Sequence, residues 1–203
     1  MLNVFSLQLA SVGSVCFAWM VLSLVLHEAA HATVSRWAGF EPQEIVVGQG
    51  PLLFTVDVLG VPMRFHFLPI GGLTVTRPRA GAPLDRRRAL FPAAGVATDL
   101  ALLLVLVGLA VRFHPGNFGL APFVALGKVT PYRWQGYLGW LLILQELRFL
   151  GNLVPRNIRG AHGLRIPSDG RQVLLYLSGK EVTYRFEDGA ASAPVSSQRL
   201  WRP

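Results

Sequence analysis

The stretch from Val21 to Val34 reads VLSLVLHEAAHATV, and it is the strongest indication of the fold class of this chain. His27, Glu28 and His31 lie inside a run that otherwise has the composition of a lipid-facing helix. Ionisable side chains are costly inside a bilayer, about 2.5 to 3.5 kcal/mol for a central Asp or Arg on insertion scales, and they usually mark function. The HEAAH segment (His27–His31) therefore predicts a membrane-spanning helix that carries chemistry.

The composition of the whole chain agrees with a membrane protein. Of its 203 residues, 52% are hydrophobic and 15% are charged, and the mean hydropathy is +0.43. That is too apolar for an ordinary soluble domain. The net charge of +8 would also suit nucleic acid, but the basic residues lie between apolar runs, a pattern that membrane topology explains better. We therefore expect the lipid bilayer as a partner, and no nucleic acid.

Three apolar segments are long enough to cross a bilayer, which takes about 20 residues. They cover approximately residues 5–36, 89–111 and 137–154. The ten apolar residues from Phe118 to Gly127 are too few to span, which favours an interfacial or re-entrant piece. The sequence thus predicts an α-helical integral membrane protein with three core transmembrane helices.

The segment between the first two spans, about residues 44–76, has a β-structure pattern. Short β-branched and aromatic runs alternate with Gly and Pro breaks, which predicts two or three strands in hairpins. We expect this β-rich insertion on the cytoplasmic face or in the membrane interface. Residues 1–179 then form one core, and residues 180–203 form a short polar C-terminal tail without a separate regulatory domain.

The distribution of basic residues predicts the orientation. Seven Lys and Arg residues lie between the first two spans, three lie between the second and third, and nine follow from Arg148 onward. The positive-inside rule places the first loop and the C-terminal region in the cytoplasm and the N-terminus outside. Glu28 precedes Arg36 by about 12 Å of helix, so the HEAAH segment lies in the cytoplasmic half of the first span. The expected location is the cytoplasmic membrane of a bacterium.

The HEAAH segment has the spacing of a metal site. Positions i and i+4 of a helix differ by roughly 40° around the axis, so His27 and His31 project from one face and can hold one metal ion. In HExxH sites the imidazoles bind zinc, and the glutamate takes a proton from the zinc-bound water and passes it to the leaving amine. Zinc lowers the pKa of that water from 15.7 to about 7, so hydroxide can attack a peptide carbonyl at neutral pH. The alternative is a set of polar side chains packed between helices.

A catalytic zinc site also needs a third protein ligand and an open position for water. The acidic candidates are Asp99 in the second span, Glu146 in the third, and Asp169, which is also placed to cap the helical segment RQVLLYL. For Asp99 and Glu146 we expect hydrogen-bonded packing inside the bundle. The remaining histidines lie in predicted loops, where such side chains are more often solvated than ligating: His66, His114 and His162.

An ordered set of segments resembles the site-2 protease family of intramembrane zinc metallopeptidases. After HEAAH, the set comprises GQGP at Gly48–Pro51, LPIGG at Leu68–Gly72, AGVATD at Ala94–Asp99, and NLVP at Asn152–Pro155 with a following SDG. The resemblance runs from about Val21 to Leu175. It implies an endopeptidase with one zinc ion per chain that cuts transmembrane or membrane-associated proteins within or near the bilayer.

The resemblance also implies a role for each site residue. It makes Glu28 the general base, and Asn152 the group that orients substrate or helps to stabilise the oxyanion. It makes three side chains the zinc ligands: His27, His31 and Asp169. In the family, a β element lies at the membrane surface near the active site, where an exposed strand edge could hold an unwound substrate extended. The plainer interpretation is a sheet that only packs beside the helices.

This chain departs from the family pattern in two places. The insertion RNIRGAHGLRIPS separates NLVP from Asp169, whereas the family's two half-motifs lie close together. Asp99 stands where the family commonly has asparagine, so it could tune the site or bind the metal itself. The sequence therefore leaves two candidates for the third metal ligand, Asp169 and Asp99.

Two other functions remain open from the sequence. A degenerate relative would bind membrane proteins without cutting them. A membrane metal carrier or a metal-dependent lipid enzyme would use the same histidines. A carrier would not need Glu28 as a base, whereas a protease does, and this difference separates the classes.

Overall fold

The computed structural model describes residues 4–58, 60–80, 86–113, 134–159, 164–180, 182 and 185–186. The elements in chain order are helix α1 (Val4–Ser35), strands β1 (Phe40–Val58) and β2 (Val61–Pro78), a 3₁₀ turn (Arg86–Ala89), helices α2 (Leu90–Phe113) and α3 (Trp134–Leu153), strands β3 (Asn157–Arg159) and β4 (Leu164–Pro167), helix α4 (Asp169–Leu177) and strand β5 (Arg185–Phe186). The predicted re-entrant piece, His114, His162 and most of the predicted C-terminal tail lie outside the described residues.

Among the described residues, two helices are long and apolar enough to cross a bilayer, and they coincide with the first two predicted spans. The qualifying segments are Ala10–Ser35 and Arg87–Phe113. Apolar side chains such as Phe17, Leu104 and Val105 are exposed on them, as expected of a surface that meets lipid rather than water.

The third predicted span is a helix, but its apolar content is lower. The 20 residues of α3 include Gln145, Glu146, Arg148 and Asn152, and α3 is not among the described helices that qualify as spans. Its polar residues are the reason, because they replace apolar ones along a helix of spanning length. A third membrane crossing therefore stays a prediction.

The three long helices are joined by an apolar contact and by polar pairs. Leu106 and Ala110 of α2 pack against Leu138 and Leu142 of α3. From α1 to α3, the hydroxyls of Ser11 and Tyr137 lie 2.7 Å apart, and Trp19 Nε1 donates to Gln145 Oε1 at 3.1 Å. In lipid, such hydrogen bonds between helices contribute to association because apolar burial does not drive it.

The predicted β insertion is a long antiparallel hairpin of β1 and β2, joined between Val58 and Val61. Val46 pairs with both Leu73 and Arg64, so the middle of β1 lies between two stretches of β2. The stretch of β2 after Gly71 is then an edge, with no other described strand beyond it. The buried side of the hairpin packs on α1, in a cluster of Leu24, Ile45, Val47, Val61 and Met63.

The insertion before Asp169 forms a second hairpin, which brings the chain back to the end of α3. β3 and β4 pair antiparallel, with Asn157 opposite Pro167, and β5 pairs with β4. Ser168 closes the base, because its backbone N–H donates to the Arg156 carbonyl oxygen at 2.8 Å. Asp169 therefore begins α4 beside the end of α3, despite the length of the insertion.

Candidate metal centre

The three side chains predicted to bind zinc converge in one small volume. Nε2 of His27 and Nε2 of His31 lie 3.0 Å apart. Oδ2 of Asp169 lies 3.0 Å from His27 Nε2 and 3.4 Å from His31 Nε2. Tetrahedral zinc, with bonds of about 2.0 to 2.1 Å, holds neighbouring ligand atoms about 3.3 Å apart. Both the type and the spacing of these atoms fit one zinc ion with a fourth position left open.

The other ring nitrogen of each histidine is held by an acceptor. Nδ1 of His27 donates to Oδ2 of Asp99 at 2.9 Å, and Nδ1 of His31 donates to the carbonyl oxygen of Phe91 at 2.7 Å. Neither acceptor has a proton to give, so each Nδ1 carries the ring proton and each Nε2 is left with a free lone pair. The two Nε2 atoms and Asp169 Oδ2 are all hydrogen-bond acceptors, so they can lie this close only with a cation or protons between them. A set of metal ligands meets this condition when the metal is bound.

Asp169 is suited to this role by its charge. Burial raises the pKa of its carboxyl, whereas the adjacent His31 and His27 side chains lower that pKa by more, so that the pKa lies below its ordinary value. The carboxyl is therefore ionised at neutral pH and can act as a ligand.

Gly95 of α2 provides the space in which the two imidazoles meet. A methyl group at this position would lie within 2.6 Å of His27 Nε2 and closer still to His31 Nε2. Phe91, Gly95 and Asp99 follow one another at intervals of four residues, so they lie on one face of α2. That face supports both histidines of α1 and leaves room between their nitrogens.

Replacing Gly95 with alanine is expected to remove stoichiometric zinc from the purified protein, because the new methyl group occupies the space between the nitrogens. Alanine stabilises a helix by about 1 kcal/mol relative to glycine, so a change in helix propensity could not account for a loss of zinc. Gly108→Ala is the matched control, since it lies in the same helix and nothing lies within 4 Å of its added methyl group. Metal analysis decides: equal zinc content in the two variants would contradict this account of Gly95.

The inserted hairpin can be tested separately from the ligands. Replacing Ile158–Ile166 with the two-residue turn Asn-Gly is expected to leave zinc content unchanged, because the hydrogen bond between Ser168 and Arg156 still closes the base. Zinc is measured in the shortened protein that keeps Asp169 and in the shortened protein with Asp169→Ala. Loss of zinc from the shortened protein that keeps Asp169 would show that the hairpin itself contributes to zinc binding.

Glu28 lies beside this centre and is held by β2. Oγ1 of Thr74 lies 2.8 Å from Glu28 Oε2 and 3.0 Å from the Glu28 backbone oxygen, and its single proton serves both. The side chain packs on Gly72, where a methyl group would lie 2.5 Å from Oε1 and 2.8 Å from Cγ. Glu28 is thereby fixed with Oε2 occupied and Oε1 over the glycine.

Asp99 lies on the far side of His27 from the convergent nitrogens. It is fully buried, and besides His27 it accepts hydrogen bonds from Arg148 Nε at 2.8 Å and from Asn152 Nδ2 at 2.6 Å. The amide of Gln145 donates to its backbone oxygen at 3.0 Å. Its carboxylate thus reaches Nδ1 of His27 rather than the group formed by the Nε2 atoms and Asp169.

The remaining candidates lie apart from the centre. Glu146 is half-buried on α3, and no contact among the described residues joins it to the histidines. His66 lies in strand β2 rather than in a loop as predicted, and its Nδ1 donates to the carbonyl oxygen of Gly50 at 2.6 Å. Sequence reasoning missed Thr74, Gly95 and the partnership of Arg148 with Asp99. Only the charge of Arg148 beside a lone intramembrane carboxylate could have indicated that pair.

Comparison with known proteins agrees with the geometry of this centre. A search of curated proteins found no significant match to the chain. The profile of Peptidase family M50, the site-2 protease family, matches residues 15–196, which include the HEAAH segment, Asp99, Asn152 and Asp169. The resemblance seen in the sequence is thereby confirmed, and the chain belongs to Peptidase family M50, a family of zinc-dependent intramembrane metallopeptidases.

Proposed function

We propose that this protein is a zinc-dependent intramembrane endopeptidase that hydrolyses peptide bonds of membrane-embedded or membrane-associated proteins. The observation that carries the proposal is the convergence of His27 Nε2, His31 Nε2 and Asp169 Oδ2 within 3.4 Å of one another, next to a fixed Glu28. His27, Glu28 and His31 lie on an apolar helix long enough to span a bilayer, and Asp169 joins them from the start of α4.

In the proposed mechanism, His27, His31 and Asp169 would hold one zinc ion. When bound, zinc would act as a Lewis acid: it would lower the pKa of water, so that the water can give up a proton at neutral pH, and it would polarise a carbonyl group. Glu28 takes the proton of the attacking water and delivers it to the nitrogen of the leaving amine. Oε2 of Glu28 is occupied by Thr74, so Oε1 is the atom that accepts the proton.

The neighbouring groups suit an extended substrate. A transmembrane helix must be unwound before its carbonyls can be attacked, and the edge of β2 after Gly71 offers backbone groups to which an unwound segment can pair. Glu28 packs against this same stretch, at Gly72, so paired substrate would lie next to the base. Asn152 uses one amide hydrogen on Asp99 and has a second with which to bind the developing charge on the substrate carbonyl oxygen.

We propose a multi-pass arrangement in the cytoplasmic membrane of a bacterium, with three core spans and the N-terminus outside. The support is the basic first loop between α1 and α2 and the basic region after α3, together with the positive-inside rule. The HEAAH segment near the end of α1 then opens toward the cytoplasmic side.

The place of Glu28 favours a protease over a metal carrier. A carrier needs ligands that bind and release, whereas here a fourth ionisable side chain is buried, hydrogen-bonded to Thr74 and packed on a glycine. A relative that binds membrane proteins without cutting them would not need the carboxylate either. No separate observation favours a lipid substrate.

The test is cleavage of a transmembrane protein by the purified chain in liposomes. We expect products whose new termini, located by mass spectrometry, lie within or near the substrate's membrane span. Removing zinc with a chelator should stop cleavage, and adding back one equivalent of zinc should restore it. Cleavage that persists in the metal-free protein, or products that appear without the protein, would contradict the proposal.

A further inference from the structure

Asp99 is the point at which all three long helices meet beside the metal centre. It lies in the middle of α2, between His27 of α1 and two residues of α3, Arg148 and Asn152. Its carboxylate accepts a hydrogen bond from each of them, at 2.9, 2.8 and 2.6 Å. Three donors, one of them the cationic guanidinium of Arg148, thus satisfy this buried carboxylate.

The two oxygens of Asp99 have different partners. Oδ1 is taken by the guanidinium of Arg148, whereas Oδ2 is taken by His27 Nδ1 and by the amide of Asn152. Arg148 therefore balances the charge that would otherwise be costly in an apolar environment. It does so without occupying the oxygen that holds His27.

The two histidines differ in what holds them. His31 is held by the backbone oxygen of Phe91, which side-chain substitution leaves in place. His27 is held by the side chain of Asp99, and therefore by a group that can be removed. A carboxylate on the far nitrogen of a metal-binding histidine fixes the ring's tautomer and orientation and strengthens it as a ligand.

We propose that Asp99 and Arg148 act together as a positioning pair: Asp99 holds His27 in the orientation and tautomer that bind the metal, and Arg148 balances the charge of Asp99 and keeps it in place. The proposal rests on the metal centre of the proposed function but does not depend on proteolysis. It differs from a plain ion pair between α2 and α3 in one respect. A plain ion pair would change the stability of the bundle, whereas a positioning pair changes the affinity for zinc.

The experiment measures zinc affinity by chelator competition on the full chain in detergent. Asp99→Leu, which cannot accept the His27 proton, is expected to weaken zinc binding by about 10- to 100-fold, the usual effect of removing a partner behind a ligand. Gln145→Leu is the control, because it removes a hydrogen bond between α3 and the Asp99 backbone without touching an imidazole. It is expected to bind zinc as the unaltered protein does.

A neutral replacement of the pair gives a second readout. Asp99→Asn keeps an acceptor for His27 but leaves Arg148 without its anion, so we expect weakened binding. Combining it with Arg148→Gln removes the unbalanced charge and should recover about fivefold or more in affinity over Asp99→Asn alone, as coupled neighbours do. A role limited to packing would not produce this recovery.

Three results would overturn the proposal. They are wild-type affinity in Asp99→Leu, an equal loss in Gln145→Leu, and no recovery in the double variant. If the unaltered chain binds zinc with this dependence on Asp99 but cuts no substrate, the protease proposal fails and the positioning pair stands. If the chain cuts substrate and every Asp99 variant binds zinc normally, only the positioning pair fails. A wild type that binds no zinc contradicts both.

Discussion

Replacing Asp169 with alanine is expected to abolish stoichiometric zinc binding and, with it, cleavage. Oδ2 of Asp169 lies within 3.4 Å of both histidine nitrogens, and no other described carboxylate joins that group. Without it, two imidazoles are left, which is one ligand fewer than catalytic zinc sites have. The loss in affinity should exceed the roughly 10- to 100-fold typical of a partner that lies behind a ligand.

A control variant distinguishes the loss of a metal ligand from the loss of a favourable charge at the start of helix α4. Asp169 is the first residue of α4, where a negative charge favours the helix N-terminus by about 0.3 to 1 kcal/mol. Asp169→Asn keeps the size and hydrogen-bonding capacity of the side chain but removes its charge, so it should also lose zinc while the metal-free protein melts close to wild type. Tight zinc binding by Asp169→Ala would place the third ligand elsewhere, and Asp99→Ala would be the next variant to test.

Glu28→Gln should retain zinc and lose activity. Glutamine has nearly the same shape, can accept the hydrogen bond from Thr74, and can pack on Gly72, but its amide cannot take up a proton. General-base catalysis contributes about 10²- to 10⁴-fold, so turnover of a membrane substrate should fall by that factor. Metal analysis and cleavage rate are measured on the same preparation.

Glu146→Gln is the matched control for this variant. It makes the same chemical change in α3, at a carboxylate with no described contact to the histidines, and it should leave turnover unchanged. Full turnover in Glu28→Gln with zinc bound would rule out Glu28 as the base.

Local sequence patterns predict the long helices and two of the three proposed metal ligands, His27 and His31. The four-residue spacing of His27 and His31 is a property of one helix, so it is visible without any tertiary contact. The apolar runs of α1 and α2 likewise predict their own spans. The third span is harder to predict from sequence, because Gln145, Arg148 and Asn152 lower the apolar content of α3. These three residues are polar because they bind Asp99.

The remaining parts of the site depend on contacts between distant segments. Local patterns make Asp169 only one of three acidic candidates for the third ligand, and the family resemblance favours it over Asp99 and Glu146. Its distance along the chain from Asn152 is spanned by the β3–β4 hairpin, which closes at its base. Nothing in the sequence distinguishes Thr74 from the other hydroxyl-bearing residues of the predicted strands. The importance of Gly95 comes from the His27 and His31 side chains that approach it from another helix, which no local pattern records.

We propose that His27, His31 and Asp169 bind one catalytic zinc ion inside a membrane protein. Anomalous diffraction at the zinc edge from crystals of the wild-type protein would locate that ion. We predict a single peak about 2.0 to 2.1 Å from both Nε2 atoms and about 2.0 to 2.2 Å from the Asp169 carboxylate. A peak ligated by Asp99 in place of Asp169, or no peak in protein that cleaves its substrate, would contradict the claim.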